Sequence, residues 1–139
     1  MIRLSFLVCA EIVIVDAQTN VISAINIADE ISAPIFPAVH RSLHALFGLS
    51  RESIRDDPDD VRNAKVCIFN NGNLLIESPI AIQFQGKKRT RAIMKYGIVP
   101  IPAPGSLDIV LFFDNDVEMA RWPIIVVQTG NQNVQQIPA

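Results

Sequence analysis

A chain of 139 residues is long enough for one domain with its own core, so it folds without a metal or disulfide staple. Hydrophobic residues make up 50% of it and charged residues 19%, which excludes a disordered or tail-like protein. Twelve basic against fourteen acidic residues leave a net charge of −2, which argues against a dedicated nucleic-acid binder, and two cysteines do not make a disulfide framework.

The apolar share is dominated by β-branched residues: 20 Ile and 13 Val against 9 Leu. Branching at Cβ stiffens χ1 and suits a pleated sheet better than a helix. Nine prolines and six glycines punctuate the chain at short intervals, and no window carries a 3.6-residue apolar stripe. Many short strands between turn signals imply a sandwich or a barrel.

The N-terminus, with Arg3 ahead of Leu4-Ser5-Phe6-Leu7-Val8-Cys9-Ala10, superficially resembles a signal peptide. Glu11 breaks the run, no small-x-small cleavage site follows, and Val8 sits where a lipoprotein signal places a small residue. The segment reads instead as a strand over 3–15. It alternates Leu4, Phe6, Val8, Ala10, Ile12 and Ile14 against Ser5, Leu7, Cys9, Glu11, Val13 and Val15. Residues 16–20 form a polar hairpin loop, and 21–31 the returning strand. No run approaches the eighteen or so apolar residues of a membrane helix. The expectation is a cytoplasmic protein with reduced thiols and no membrane partner.

Pro34 and Pro37 end the second strand, because proline cannot complete a ladder, and make 33–37 a crossover or an edge. Alternation resumes over 42–50, with Leu43, Ala45, Phe47 and Leu49 inward. The acidic stretch Asp56-Asp57-Pro58-Asp59-Asp60 is a turn by composition. Further strands fall at 64–69, 74–84, 91–99, 107–113 and 118–127. They are separated by Asn70-Asn71-Gly72-Asn73, Gln85-Gly86-Lys87-Lys88, the 100–105 segment and Asp114-Asn115-Asp116. The expected fold is all-β: a single antiparallel β-sandwich of about eight strands, Ig-like or C2-like, over 1–128, with a polar, frayed tail over 129–139. The expected inner faces hold Phe6, Val8, Ile12, Ile25, Leu43, Phe47, Ile68, Ile82, Val110, Phe112 and Ile125.

One order of features has a counterpart. The strand Phe6-Leu7-Val8-Cys9 leads to an Asp turn, a proline-marked crossover and a mid-chain Asp57-Pro58-Asp59 turn. The chain closes with Pro104-Gly105-Ser106-Leu107-Asp108-Ile109-Val110-Leu111 and a hairpin ending Trp122-Pro123-Ile124-Ile125-Val126. This order resembles an uncharacterised family of small bacterial proteins, a domain of unknown function with an antiparallel β-sandwich. The resemblance spans nearly the whole chain and implies a fold, with no catalytic residue, cofactor or ligand attached.

Two acidic loops, 56–60 and 114–118, place Asp56, Asp57, Asp59, Asp114 and Asp116 where a C2-type sandwich gathers hard oxygens for calcium; solvated turns explain the same composition. His40 and His44 would meet on a helix, but on a strand their spacing spans about 13 Å, and no third ligand is evident. Cys9 and Cys67 lie in apolar strands and read as small buried hydrophobes. The basic run Lys87-Lys88-Arg89-Thr90-Arg91 is a solvated hairpin or a guarded edge. The weaker alternative is a contact for phosphate or an acidic partner, for which Phe84 and Tyr96 are the only nearby stacking aromatics. No hydrolase elbow, zinc-protease or phosphate-loop motif occurs. The leading expectation is therefore a non-catalytic interaction module without a cofactor, paired with itself or another protein. A calcium- or small-ligand-binding sandwich is the alternative. An enzyme built from dispersed residues such as Glu11, His44 and Arg91 is a third class.

Overall fold

A computed structural model describes residues 1–114 and 116–129. Nine strands run β1 Ile2–Val15, β2 Ile22–Ile27, β3 Glu30–Ala33, β4 Ala38–Arg51, β5 Val61–Asn70, β6 Asn73–Gln83, β7 Arg89–Ile101, β8 Gly105–Phe113 and β9 Val117–Gln128. They form a four-stranded sheet in the order β2-β1-β4-β7 and a five-stranded sheet in the order β3-β9-β8-β5-β6. The core between them is built from Leu43, Ala45, Phe47 and Leu49 on β4, Tyr96, Val99 and Ile101 on β7, and Val66, Ile68, Leu107, Ile109 and Leu111 on the facing sheet. The architecture is the all-β sandwich that the branched aliphatics imply.

One expected strand is two. The segment 21–31 leaves the first sheet after Ile27 and enters the second at Glu30, where β3 lies parallel to β9 while every other pair is antiparallel. The transfer takes two residues. Ala28 N donates to Cys9 O (2.8 Å) in one sheet, the Trp122 indole donates to Ala28 O (2.6 Å), and Ile125 N donates to Asp29 O (3.0 Å) in the other. Ala28 N, Ala28 O and Asp29 O thus all keep a partner during the switch.

The faces also differ from strict alternation. A bulge between Leu4 and Phe6 inserts one residue and reverses which side chains point inward. Ile2, Leu4, Leu7 and Cys9 pack on the core, whereas Phe6 is turned out and 38% exposed. The error carries along β1 and β2: Ile12 and Ile25 are exposed and Val8 only half-buried. On the other sheet Ile125 is exposed and Phe112 faces outward against Phe69 in an edge-on pair. Val110 is buried, but in the row of Cys67 and Arg121, opposite in parity to the core residues Ile109 and Leu111. Leu43, Phe47, Ile68 and Ile82 are in the core as expected. Thr129 N donates to Ala33 O, and the rest of the expected tail, 130–139, lies outside the described residues.

Among the described residues two polar side chains, Arg51 and Asn70, are buried, and both lock loops. Asn70 accepts from Ala103 N (3.0 Å) and donates to the carbonyls of Ala103 (3.1 Å) and Ser106 (2.9 Å), fixing the turn between β7 and β8. Arg51, at the end of β4, lies over the Phe84 ring at 4.6 Å. It donates to Lys87 O (2.9 Å), Asp57 O (3.0 Å) and the Asp60 carboxylate (2.9 Å). Asp60 in turn accepts from Gly86 N (3.1 Å). The acidic and basic loops are therefore joined within one chain, through a guanidinium that no other side chain can replace in shape. Arg51→Met is expected to lower unfolding stability by about 2–3 kcal/mol, since it strands buried carbonyls and the charge-assisted bonds are lost. Arg51→Lys should recover less than half of that in urea denaturation. Equal stability of the three proteins would contradict this role.

Candidate ligand-binding cleft

The outer face of the four-stranded sheet is not open. The β1–β2 hairpin bends at Glu11 and Asn26, where Asn26 takes a positive φ of 58° and donates to the Glu11 carboxylate (3.0 Å), while Ser42 Oγ holds Glu11 O (2.9 Å). Beyond the bend the hairpin folds back over the sheet. Its inward face, with Ile22 and Ala24, lines one cavity with Phe6 and Leu46. Leu46 is 4% exposed although it points away from the core.

The hairpin loop is shaped to reach across. The Asp16 carboxylate accepts from Thr19 N (3.0 Å) and Gln18 N (2.8 Å), and these bonds hold its pKa below the ordinary value. Asp16 O accepts from Asn20 N (2.8 Å), and Asn20 takes a φ of 61°. This presents both its carbonyl (2.8 Å) and its side-chain oxygen (2.6 Å) to the Arg91 guanidinium on β7. Phe6, Gly48 and Arg91 occupy one cross-strand row. A Cβ at Gly48 would stand 2.5 Å from Phe6 Cε1, so the glycine is what lets the ring lie flat on the sheet.

Two lobes meet at Phe6, Asn20 and Arg91. One encloses about 540 Å³ and is walled by Ser5, Gln83, Gln85, Lys87, Arg89 and Thr90. The other is an open groove of about 500 Å³ beside the hairpin, among Val21, Ile22, Ala24 and Leu46. Neither lobe is lined by an aspartate or glutamate. Lys87, Arg89 and Arg91 form no ion pair among the described residues, while Arg3, Arg51, Arg62, Lys65 and Arg121 all do. The basic run does lie on an edge, since β7 ends its sheet. The sequence signalled its charge but not the cleft, because the opposite wall comes from a hairpin seventy residues earlier. Phe84 and Tyr96 are 1% and 8% exposed in the core, so neither can stack on a base.

The two acidic loops do come to one end, and they meet on cations. Arg62 bonds the Asp114 carboxylate, lies 3.8 Å from Asp57, and rests over Phe113. The N-terminal ammonium takes the other Asp57 oxygen. Lys65 holds Asp116 (2.8 Å) and Glu77 (2.7 Å), and these bonds keep the ammonium protonated well above its ordinary range. Asp56 and Asp59 are exposed on the same loop. Among the described residues no group of three or more His, Cys, Asp or Glu side chains is arranged around a common point. Calcium would have to displace Arg62 and Lys65, and melting midpoints in millimolar calcium and in excess chelator are expected to coincide. A rise with calcium would show that these carboxylates exchange partners.

The dispersed catalytic set does not converge either. Glu11 bonds Asn26, Arg91 bonds Asn20, and no hydrogen bond joins Glu11, His44 or Arg91 to one another. His40 and His44 stand on β4 in rows with Val99 and Lys95, and His40 Nε2 and His44 Nδ1 are buried without partners. Cys9 and Cys67 are both free; burial pushes the Cys9 thiol up to about 12 and raises that of Cys67. Below pH 9.0 both folded and unfolded chains keep the Cys9 proton, so its contribution is complete. Between that pH and about 12 the unfolded thiol ionises first, and stability falls by at most about 1.4 kcal/mol per pH unit. The denaturation midpoint of Cys9→Ala should therefore drop less than that of the parent between about pH 8 and about pH 10.5. Parallel declines would show the thiol is not the titrating group.

Neither a protein-family model nor a curated protein matches the chain. Among solved structures the chain is similar to the CARDB domain of a Pyrococcus furiosus protein, in complex with di-metal ions. The identity is 14%, the TM-score 0.41, and the match covers 73% of this chain and 87% of that one. The assignment as a β-sandwich rests on this chain's own two sheets. Among the described residues no helix is long and apolar enough to cross a membrane.

Proposed function

We propose that the chain is a non-catalytic interaction module that pairs with a second copy of itself through the outward face of the β1–β2 hairpin. The observation that carries this reading is a set of half-exposed isoleucines on adjacent strands. Ile12 (43%), Ile14 (49%) and Ile25 (39%) lie on one side of the folded hairpin, with Ile27 (54%) just past the bend. Ile12 and Ile25 are direct cross-strand partners, and β2 is an edge strand with free backbone groups beside them. A contiguous aliphatic patch on a small domain is costly in water, and a two-fold interface lets the same patch cover itself.

The buried aromatics near the basic run, Phe84 and Tyr96, count against base stacking. Two free thiols on opposite sides of their sheets fit the reducing cytoplasm. Sedimentation at tens of micromolar is expected to give a dimer. Ile14→Glu with Ile25→Glu should give a monomer with a thermal midpoint within a few degrees of the parent's monomeric form, since both side chains already face solvent. A parent that stays monomeric at high micromolar concentration would remove the proposal.

A further inference from the structure

The inward side of the same hairpin carries a second inference, independent of the self-pairing face. We infer that the cleft beneath it binds an amphipathic anion: a free aliphatic chain ending in a carboxylate, held by Arg91 and Arg89 with its tail under the hairpin.

Three observations meet in the cleft. Its two lobes differ in chemistry and touch at Arg91, one rimmed by Lys87, Arg89 and Arg91, the other walled by Val21, Ile22, Ala24 and Leu46. Each is within the size range of small-molecule sites, which are mostly apolar with a few convergent polar groups. The cations at the rim lack acidic partners among the described residues, although the chain is net acidic and pairs Arg3, Arg51, Arg62, Arg121 and Lys65 with carboxylates; Arg41, Arg55, Lys88 and Lys95 are likewise unpaired, but only Lys87, Arg89 and Arg91 gather around one cleft. Arg91 instead spends its guanidinium on the neutral oxygens of Asn20, which a carboxylate would replace with a charge-assisted, two-pronged bond.

The tail lobe decides between a free amphiphile and other anions. Inorganic phosphate or acetate would leave Leu46, Ile22 and the Phe6 ring without a partner. A bilayer headgroup would leave its own tails in the membrane, outside the groove beside the hairpin. A nucleic acid would find no accessible aromatic but Phe6, which lies flat on Gly48. A single aliphatic chain with one anionic end covers both lobes at once.

Calorimetric titration of the full chain with decanoate, kept below its micelle concentration, tests this. Saturable binding of one decanoate per chain is expected, with decanol, acetate, inorganic phosphate and phosphatidylglycerol vesicles each at least tenfold weaker. Arg91→Gln should weaken decanoate at least tenfold. Because that change also removes the bond to Asn20, Arg89→Gln, which leaves the hairpin contact intact, should weaken it several-fold. Ala24→Trp, which fills the tail lobe, should abolish binding while the thermal midpoint stays within a few degrees. Absence of saturable binding overturns the inference. So does equal binding of decanol, which would mean apolar surface alone, or equal binding of phosphate or vesicles, which would mean a basic patch alone. Unchanged affinity in Ala24→Trp would place the ligand elsewhere and overturn it too. Sedimentation of the same samples reads the self-pairing separately, so loss of one leaves the other standing.

Discussion

A single guanidinium closes one end of this sandwich. Arg51 ends the longest-buried stretch of β4, and its fork meets backbone carbonyls of the acidic loop and of the β6–β7 turn while its plane covers Phe84. The first of those segments is short, polar and mostly exposed, and the second is a five-residue turn, 84–88, carrying Lys87 and Lys88 side by side. A buried cation is tolerable only when its donors are satisfied, and here carbonyl oxygens and one carboxylate satisfy them. Because Arg51 N also donates to Lys88 O (2.8 Å), backbone and side chain fix the turn together. The basic rim of the cleft thus stands on a rigid base.

The charges divide by place. At the end where β5, β8 and β9 turn, Asp57, Asp114, Asp116 and Glu77 meet cations, with Arg62 and Lys65 each bridging two. Exposed pairs of this kind add little stability one by one, but they consume the acidic groups that would otherwise collect a metal ion. Lys87, Arg89 and Arg91 keep their charge unneutralised beside an apolar slot. An anion and a hydrocarbon are therefore welcome at adjoining points, while the nearby Asp60 carboxylate is spent on Arg51 and Gly86 N.

One hairpin makes both surfaces of interest. Alternation on a strand gives every hairpin two faces, and most hairpins bury one and wet the other. This one leans Ile22 and Ala24 over the sheet and leaves Ile12, Ile14 and Ile25 outward. Its bend depends on two local devices, the left-handed Asn26 and the Ser42 bond to Glu11 O, and its tip is held by Arg91. Few contacts hold a hairpin of this kind, so it is an element drawn from the low-stability end of the molecule.

The run of strands was legible except at β3, which was read as the end of the strand over 21–31. Excess isoleucine and valine, the Asn71-Gly72 turn, the Asp-rich breaks and Pro34 with Pro37 act locally, so composition and spacing alone reveal the all-β sandwich, its turns and the inward set Leu43, Phe47, Ile68 and Ile82. Facing was not legible wherever parity changes. The bulge at Leu4–Phe6 leaves no mark in residue type, and one extra residue turned Phe6, Ile12 and Ile14 outward while Leu4 stayed on the core. The transfer of the chain between sheets at Ala28 depends on Trp122, ninety-four residues away, and the cleft depends on Asn20 meeting Arg91 across seventy-one. Sequence determined what each segment is, because propensity and pattern are short-range; tertiary structure alone decided which segments meet, because burial and hydrogen-bond satisfaction are settled between distant parts of the chain.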